Sequence, residues 1–323
     1  MQRTRQKNRE RSPDLIITAD IHLRDDTPRC RTDDYWKAQS SKIRFIRDLQ
    51  EKYRVPICDG GDLLDKWKSS PYLEGWSIDN LPEGIITVPG NHELPEHNIN
   101  RLNKSSLNVL AKARKIQIIQ TDNFLFKSNL MFCGFPFGTS LETINEISKK
   151  IDYMKKDKTI GGENYKFIAI IHILTYESQN LWPGLESIDG ASLLRKMKGF
   201  DLIITGHNHQ PFTIKYGDQL LVNPGSMMRM KADQIDHRPR VYLWYADTNE
   251  VEPVYLPIEL GVVSREHLEK QEKKNERMEA WVESLEGTLE CCFDVVENVE
   301  KFFGLNNTRD PVRTLLRKAM EKI

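Results

Sequence analysis

The chain has 323 residues and no net charge, because 47 basic residues balance 47 acidic ones. Its mean hydropathy of −0.56, and the lack of any run near the ~20 apolar residues of a spanning helix, argue against a membrane protein or a membrane partner. The balanced charge removes a global basic surface as an argument for nucleic-acid binding. Five cysteines without zinc-site spacing predict reduced thiols and a cytoplasmic protein.

The chain begins with a basic tail, residues 1–12, that lacks the apolar segment of a secretory signal. Short apolar runs rich in β-branched residues follow it. Such runs predict β-strands that are buried on both faces. They cover residues 15–19, 55–58, 84–88, 167–171 and 202–205.

Helical and hairpin patterns alternate with these strands. Apolar residues recur at helical spacing over residues 43–53, 141–154 and 193–197. Turn signals predict hairpins at Ser128-Asn129, Gly217-Asp218 and Asp247–Asn249. The combination predicts an α/β catalytic domain over residues 13–263, built from two packed sheets covered by helices.

Residues 264–323 are predicted to form a helical C-terminal module. They are highly charged, and their apolar residues recur at helical spacing. Asp310-Pro311 is typical of a helix start, because proline is favoured in the first turn. The apolar stripe from Val312 to Ile323 either packs on the catalytic core or docks a partner.

Five motifs follow the predicted strands and contain five of the eight histidines. Strand ends of an open α/β sheet are where such folds place their sites. The motifs combine carboxylates, imidazoles and one amide, which are the donors that hold two transition-metal ions side by side. They read Asp20-Ile21-His22, Gly61-Asp62-Leu63-Leu64-Asp65, Gly90-Asn91-His92-Glu93, His172 and Gly206-His207-Asn208-His209.

The chemistry suggests a role for several of these residues. Asp62 follows a Gly-Gly turn that allows close backbone approach, so it suits a carboxylate that bridges two metals opposite a hydroxide. Asp20 and His22 are two apart and would share a face of an extended chain. His207 and His209 repeat that spacing, although a loop could aim them at different ions.

The Gly90–Glu93 motif supplies two further candidates. Asn91 offers a neutral oxygen ligand, and His92 is placed to protonate a leaving group as a general acid. We expect Glu93 to orient His92. Asp65 is interpreted as a helix cap rather than a ligand.

The alternative is that these residues have a purely structural role, as ordinary core and turn residues. A single Asp-X-His is common, and His172 alone would more often be a core histidine than a ligand. Five motifs in order, each at a strand end, favour a two-metal site instead. The remaining histidines are interpreted as surface residues: His97, His237 and His267.

From about Leu15 to Leu260 the chain resembles the calcineurin-like metallophosphoesterases, whose motif order D-x-H, G-D, G-N-H, H and G-H-x-H it carries. The resemblance implies a four-layer sandwich of two mixed β-sheets flanked by helices. It implies a role for His92 on the phosphoryl group. It implies one metal held by Asp20, His22, Asp62 and His209, and another held by Asp62, Asn91, His172 and His207.

Within that family, the sequences of residues 19–23, 61–65 and 222–229 most resemble those of the SbcD-type DNA repair nucleases, including phage relatives. That likeness implies DNA as substrate. It also implies C-terminal elements that cap the site and dock a coiled-coil, SMC-like ATPase. The module here is shorter and wholly helical, and Glu93 stands where much of the family has aspartate.

Three functions remain open from the sequence. The leading hypothesis is a two-metal DNA phosphodiesterase, an exonuclease or endonuclease that uses a metal-bridging hydroxide. A phosphoesterase for nucleotides or phosphoproteins would need the same ligands. A non-catalytic interaction scaffold is disfavoured, because every expected ligand is present. The donor set suits manganese, iron or zinc better than calcium, and manganese is our expectation. A homodimer is left open.

Overall fold

The computed structural model describes residues 11–121, 123–157, 165–177, 187–286 and 295–320. Most of the predicted basic tail lies outside these ranges, as do Cys291, Cys292 and Ile323. The chain divides into two compact units, Met1–Ser264 and Arg265–Ile323. No helix in the described ranges is long and apolar enough to span a membrane.

The strands are numbered along the chain. They are β1 (Leu15–Thr18), β2 (Ile57–Asp59), β3 (Ile85–Thr87), β4 (Ile116–Ile118), β5 (Leu125–Lys127), β6 (Leu130–Phe135), β7 (Lys166–His172), β8 (Thr175–Tyr176), β9 (Ile188–Asp189), β10 (Leu202–Gly206), β11 (Phe212–Tyr216), β12 (Gln219–Asn223), β13 (Arg240–Tyr245) and β14 (Glu250–Tyr255).

The helices are numbered in the same way. They are α1 (Tyr35–Tyr53), α2 (Pro71–Asn80), α3 (Ser106–Lys112), α4 (Leu141–Asp157), α5 (Gly190–Lys196), α6 (Glu266–Glu286), α7 (Val295–Leu305) and α8 (Asp310–Met320). Short 3₁₀ helices cover Asn91–Glu93, Pro95–His97, Ile99–Lys104 and Ala232–Gln234.

Two six-stranded mixed sheets form the first unit. One has the order β14-β13-β1-β2-β3-β4, and the other has the order β11-β12-β10-β7-β6-β5. The strands β1 to β4 run parallel, as do β12, β10, β7 and β6. Antiparallel strands close the edges through β13 and β14 in one sheet and through β5 and β11 in the other. The predicted pair of mixed sheets is confirmed.

Three apolar clusters hold the layers together. Successive strand residues point to opposite faces of a sheet, so Ile17 of β1 and Ile170 of β7 meet between the two sheets. The neighbouring Ile16 faces outward and packs with Ile43 of α1. On the far side, Ile171 packs under α4 and α5. The result is the expected order of helices, sheet, sheet and helices.

Local signals explain most of the helix bounds. The predicted helices over 43–53, 141–154 and 193–197 are confirmed as α1, α4 and α5. The α1 helix begins earlier than its apolar stripe because the Asp34 carboxylate accepts a hydrogen bond from Lys37 N at 2.9 Å. The α2 and α3 helices were not predicted; they follow the capping residues Ser70 and Ser105. The hairpins β5–β6, β11–β12 and β13–β14 confirm the turn predictions.

The described part of the second unit consists of α6, α7 and α8, with residues 306–309 connecting α7 to α8. Within it, Phe303 of α7 is buried, and Arg313 and Arg317 of α8 lie over its ring. Arg317 also donates two hydrogen bonds of 2.6 Å to the Glu300 carboxylate. These contacts join α7 to α8. The apolar stripe of α8 stays exposed, at 45% for Val312, 72% for Leu315 and 38% for Leu316.

Candidate metal centre

The backbone after β1 and β2 is unusual at the predicted ligands. Asp20, His22 and Asp62 have φ angles of 48°, 48° and 55°, in the left-handed region that non-glycine residues rarely adopt. Two backbone hydrogen bonds join the loop after β1 to the loop after β2: Asp20 N donates to Gly61 O at 3.0 Å, and His22 N donates to Asp62 O at 2.9 Å. The extended geometry expected for Asp20 and His22 is therefore wrong, because both residues lie in a turned loop.

The Gly-Gly turn before Asp62 has the predicted close approach. Gly61 has a φ of 98°, and a Cβ placed on it would lie 2.5 Å from His172 Nδ1. A Cβ on Gly60 would lie 2.9 Å from the Ala19 side chain. Only glycine fits at these positions, so the turn brings Asp62 against the strand end that carries His172.

One group of ligand atoms forms around the loop after β1. Single donor atoms of Asp20, His22 and His209 lie within 4.8 Å of one another. His22 Nε2 is 3.2 Å from His209 Nε2 and 3.9 Å from Asp20 Oδ1. Asp20 and His22 are buried, whereas His209 is partly open. The three side chains converge as metal ligands do.

A second group lies beside the first. Donor atoms of Asp62, His172 and His207 also lie within 4.8 Å of one another. His172 Nε2 is 3.3 Å from Asp62 Oδ2 and 3.1 Å from Asn91 Oδ1. The other ring nitrogen of His172 lies 2.8 Å from Gly60 O. Donation from Nδ1–H to that carbonyl leaves Nε2 to face the group as a ligand atom.

Asp62 lies between the two groups. Its Oδ2 atom is 3.8 Å from His22 Nε2 and 3.3 Å from His172 Nε2. Its Oδ1 atom accepts a hydrogen bond from His92 N at 3.0 Å. One carboxylate therefore contacts both sets of histidines, as a bridging ligand must.

Buried charge makes this cluster a suitable cation site. Burial raises the pKa of Asp20 to about 6. Burial opposes ionisation of His172, but the facing Asp62 carboxylate outweighs it and raises the pKa of His172 to about 9. Burial and neighbouring imidazoles lower the pKa of His207 to about 4 and that of His209 to about 2. The carboxylates favour positive charge between them, and neutral imidazoles are ready to bind it.

Asp65 has a different role from the predicted helix cap. The next helix, α2, begins at Pro71 and is capped by Ser70. The Asp65 carboxylate instead lies 3.5 Å from His22 Nδ1 and 3.4 Å from the Arg24 guanidinium. A carboxylate on the far side of a metal-binding histidine fixes the ring and its tautomer. Asp65 is therefore a positioning residue for His22.

Glu93 also differs from expectation, because it does not orient His92. Its buried carboxylate accepts hydrogen bonds from Leu64 N at 3.0 Å and Gly90 N at 2.9 Å. It thereby joins two of the motif loops. The His92 ring is oriented by Asp65, whose carbonyl oxygen lies 2.8 Å from His92 Nδ1. This leaves Nε2 of the exposed His92 ring for a substrate.

Asp59, at the end of β2, supports the centre although its sequence motif did not predict this role. Its carboxylate accepts hydrogen bonds from Thr18 Oγ1 at 3.0 Å, Thr87 Oγ1 at 3.1 Å and Gly61 N at 3.1 Å. Burial raises its pKa to about 7. These bonds hold the Gly-Gly turn in place. An acidic residue inside an apolar strand was the signal that could have identified it.

The remaining histidines were all predicted to be surface residues. His97 is exposed, as expected, and its ring lies 5.7 Å from that of Phe137. His237 is buried, because its Nε2 atom bonds Ser226 O at 2.7 Å, so that prediction was wrong. The side chain of His267 lies outside the described part of the chain.

Two cavities adjoin the ligand groups. One of 580 Å³ is lined by His172, His207 and apolar residues that include Phe137 and Ile188. The Phe137 ring lies 5.8 Å from that of His207. The other cavity, of 390 Å³, lies beside His92. Substrate atoms therefore have room beside His207 and beside His92.

Comparison with known proteins identifies the family. The model of the calcineurin-like phosphoesterases matches residues 14–211, more than half of the chain. The chain belongs to this family. Its members typically bind two divalent metal ions, and the clustered histidines and aspartates are compatible with metal binding. Membership makes the protein a metal-dependent phosphoester hydrolase by class. No curated protein matches the sequence significantly.

Solved structures match this chain at low sequence identity and with TM-scores below 0.5. A structure described as a novel archaeal phosphodiesterase is 16% identical, with a TM-score of 0.39, over 75% of this chain and 99% of that one. A putative 5′-nucleotidase from Staphylococcus aureus is 14% identical, with a TM-score of 0.46, over 80% of this chain and 58% of that one.

Proposed function

We propose that the protein is a two-metal phosphodiesterase that cleaves DNA, as a nuclease subunit of the SbcD type. The observation that carries the proposal is the position of Asp62, which contacts both groups of histidines and accepts a hydrogen bond from the backbone of His92. Phosphodiester cleavage needs positive charge next to both the attacking and the leaving oxygen, because both carry negative charge, and two adjacent cation sites would supply it.

The residues present fit two divalent ions. Asp20, His22, Asp62 and His209 would hold one, while Asp62, Asn91, His172 and His207 would hold the other. Bound ions of this kind neutralise phosphate oxygens and lower the pKa of water, and we propose manganese for both sites. Asp65 and the Gly60 carbonyl hold the rings of His22 and His172 in the orientations that present Nε2.

His92 would act on the leaving group. Its Nδ1–H donates to the Asp65 carbonyl at 2.8 Å, which directs the other ring nitrogen away from that loop. The protonated ring can then give its Nε2 proton to the departing oxygen as a general acid. Because the ring is exposed, a polymeric substrate can reach it.

DNA is proposed as the substrate because the sequences of residues 19–23, 61–65 and 222–229 resemble those of SbcD-type nucleases. A nucleotide or phosphoprotein substrate would use the same ligands. Binding to DNA should weaken steeply with salt because phosphate contacts release counterions. A small phosphoester has far fewer such contacts.

The test is manganese-dependent cleavage of labelled single- and double-stranded DNA beside a chromogenic phosphodiester. We expect the wild-type protein to cleave DNA and His92→Ala to lose about a hundredfold or more of that activity. Lys150→Ala, on an exposed part of α4, is the control. Turnover of the small diester with both DNA substrates left intact would reject the DNA proposal in favour of a nucleotide substrate.

We also propose that the C-terminal helices dock a coiled-coil ATPase. The support is the exposed stripe of Val312, Leu315 and Leu316 on α8. Deletion of the residues after Gly304 should abolish co-purification with the ATPase while cleavage of a small diester continues. Co-purification of the shortened chain would reject this partner site.

A further inference from the structure

The cavity beside His92 contains an aromatic and basic surface that the proposed chemistry does not use. The sequence Lys66-Trp67-Lys68 lines it together with His92 and Asn91. The side chains of all three residues in that sequence are exposed, and Trp67 is 40% exposed. One cavity is therefore lined both by an indole ring with two lysines and by His92, the residue proposed to protonate the leaving oxygen.

The backbone around Trp67 is held in place. Trp67 O accepts a hydrogen bond from Ser106 N at 2.8 Å, and Ser69 N donates to Ser106 Oγ at 2.8 Å. Ser106 is the first residue of α3, so both bonds anchor the segment to a helix. An exposed aromatic ring on an anchored backbone suits stacking, because little conformational freedom is lost on binding.

The charged side chains in and around this cavity favour the binding of an anion near Trp67. Its two carboxylates each face an arginine: Asp65 lies 3.4 Å from Arg24, and Glu96 pairs with Arg101. Lys66 lies 3.6 Å from Asp26. Lys68, the residue after Trp67, also lines the cavity and adds a positive charge at the surface. Aromatic rings combined with cations are how proteins bind unpaired nucleic-acid strands.

We propose that this cavity is a subsite for a nucleotide on the leaving-group side of the cleaved bond. The base stacks on Trp67, and Lys68 meets the next phosphate. The assignment rests on the proposed function, since it takes His92 to act on the leaving oxygen. A base that stacks on an indole must be unpaired, so the preferred substrate is a single strand or a frayed strand end.

The test measures binding without cleavage. The metal-free protein is titrated into a fluorescein-labelled ten-nucleotide thymidine strand, and the Kd is read from fluorescence anisotropy. We expect Trp67→Ala to raise the Kd about tenfold or more, since a stacked base contributes that much. Trp67→Phe should recover most of the affinity. Lys68→Ala should raise the Kd and flatten its dependence on salt.

A matched control is the double variant Lys150→Ala/Tyr153→Ala, which removes a lysine and a 66% exposed tyrosine from α4. It should bind as the wild type does. Cleavage by the manganese-loaded protein gives the second readout: Trp67→Ala should raise the KM for the single strand much more than it lowers kcat. An abasic site at one position of the strand should reproduce the loss.

These experiments distinguish failure of the proposed subsite from failure of the proposed DNA-cleaving function. Wild-type cleavage of DNA together with unchanged Kd and KM in Trp67→Ala would overturn the subsite and leave the nuclease proposal standing. Binding of duplex more tightly than of the single strand would also overturn the subsite. A wild-type protein that neither binds nor cleaves DNA would reject the DNA proposal and the subsite together.

Discussion

Two groups of buried charges lie in the catalytic unit, and they are neutralised in different ways. The first, which we name the acidic cluster, surrounds the candidate metal centre. Its carboxylates have 0% to 1% exposure. Their hydrogen bonds come from backbone N–H groups and threonine hydroxyls, and imidazole nitrogens lie 3.3 to 3.9 Å from Asp20 and Asp62. Among the described residues, no lysine or arginine is bonded to these carboxylates. The acidic cluster consists of Asp20, Asp59, Asp62 and Glu93.

The second group, the basic cluster, consists of Arg31, Lys42 and Arg229, all buried. Lys42 Nζ donates to Met227 O at 3.0 Å, and Arg31 Nη1 donates to Arg229 O at 3.1 Å. Asp33 is its carboxylate partner, 2.7 Å from Arg31 Nε. Backbone carbonyls thus satisfy most of these cations without any added ion.

The two clusters differ in the role of their buried charge, which we assign to metal binding in the acidic cluster and to the fold in the basic cluster. Burial of a charge is costly unless a partner compensates it. The basic cluster has most of its partners within the fold, although the buried Arg229 Nε has none. Lys42 holds the Met227 segment, whose N–H donates to Asp20 O at 3.2 Å. In the acidic cluster, Asp59 and Glu93 have hydrogen-bond partners within the fold, whereas the charges of Asp20 and Asp62 would be neutralised by the proposed metal ions. Variants in the two clusters should therefore respond differently to metal, activity and pH.

The largest effect is expected for Asp62→Asn in the acidic cluster. The amide keeps the size of the side chain but removes the charge shared by both groups, so kcat/KM for a chromogenic diester should fall more than about a thousandfold. Asp48→Asn, an exposed carboxylate of α1, is the control and should retain the wild-type rate. Retention of metal-dependent turnover by Asp62→Asn would remove the bridging role.

Added metal should stabilise the protein through the acidic cluster. A ligand at a hundredfold its Kd raises the free energy of unfolding by about 3 kcal/mol per site. Denaturant unfolding with and without Mn²⁺ should show this rise in the wild type and in Lys42→Met, and a much smaller one in Asp62→Asn. An equal rise in all three proteins would contradict the comparison.

Asp65→Asn should have a smaller effect. The weaker contact with His22 Nδ1 leaves that ring less well oriented, and loss of such a partner lowers metal affinity about 10- to 100-fold. Calorimetric titration with Mn²⁺ measures the change, with the exposed Asp25→Asn as control. Unchanged affinity would show that His22 is oriented by other contacts.

The smallest effect concerns the basic cluster and depends on pH. Burial lowers the pKa of Lys42 to about 7 from the ordinary value of 10.5. Above pH 7 the unfolded chain keeps a proton that the folded chain has lost. The free energy of unfolding therefore rises with pH in this range, by up to about 2 kcal/mol between pH 7 and 9.

In Lys42→Met this contribution to the pH dependence should disappear, while the exposed Lys37→Met should keep it. Denaturant unfolding at several pH values, in the presence of Mn²⁺, measures the difference. A pH dependence in Lys42→Met identical to that of the wild type would show that the folded Lys42 keeps its proton.

The predictions from sequence succeeded where the signal was local. The β-branched runs before Asp20, Asp62 and His172 correctly predicted buried strands, because a strand pattern reflects residues close in the chain. The α2 helix was missed because Gly75 and polar residues leave it without a clear apolar stripe. His237 was misplaced because its burial depends on Ser226, eleven residues away.

The roles of the supporting residues depended on more distant contacts. Asp65 meets His22 across 43 residues of chain, and Asp59 meets Thr87 across 28. Neither pairing has a periodic or motif signal in the sequence. Glu93 lies beside His92 in the chain yet bonds the loop of Leu64, because the 3₁₀ turn directs its side chain the other way.

By itself, the sequence determined the chemistry of the centre: which carboxylates, imidazoles and amide are available, and that they follow buried strands. These properties belong to residue types and to short-range patterns. The tertiary structure alone decided that Asp59 holds the Gly-Gly turn, that Asp65 supports His22, and that Trp67 adjoins His92. Those relations depend on loops from different strands meeting at one sheet edge, where burial and distance set each side chain's charge and partner.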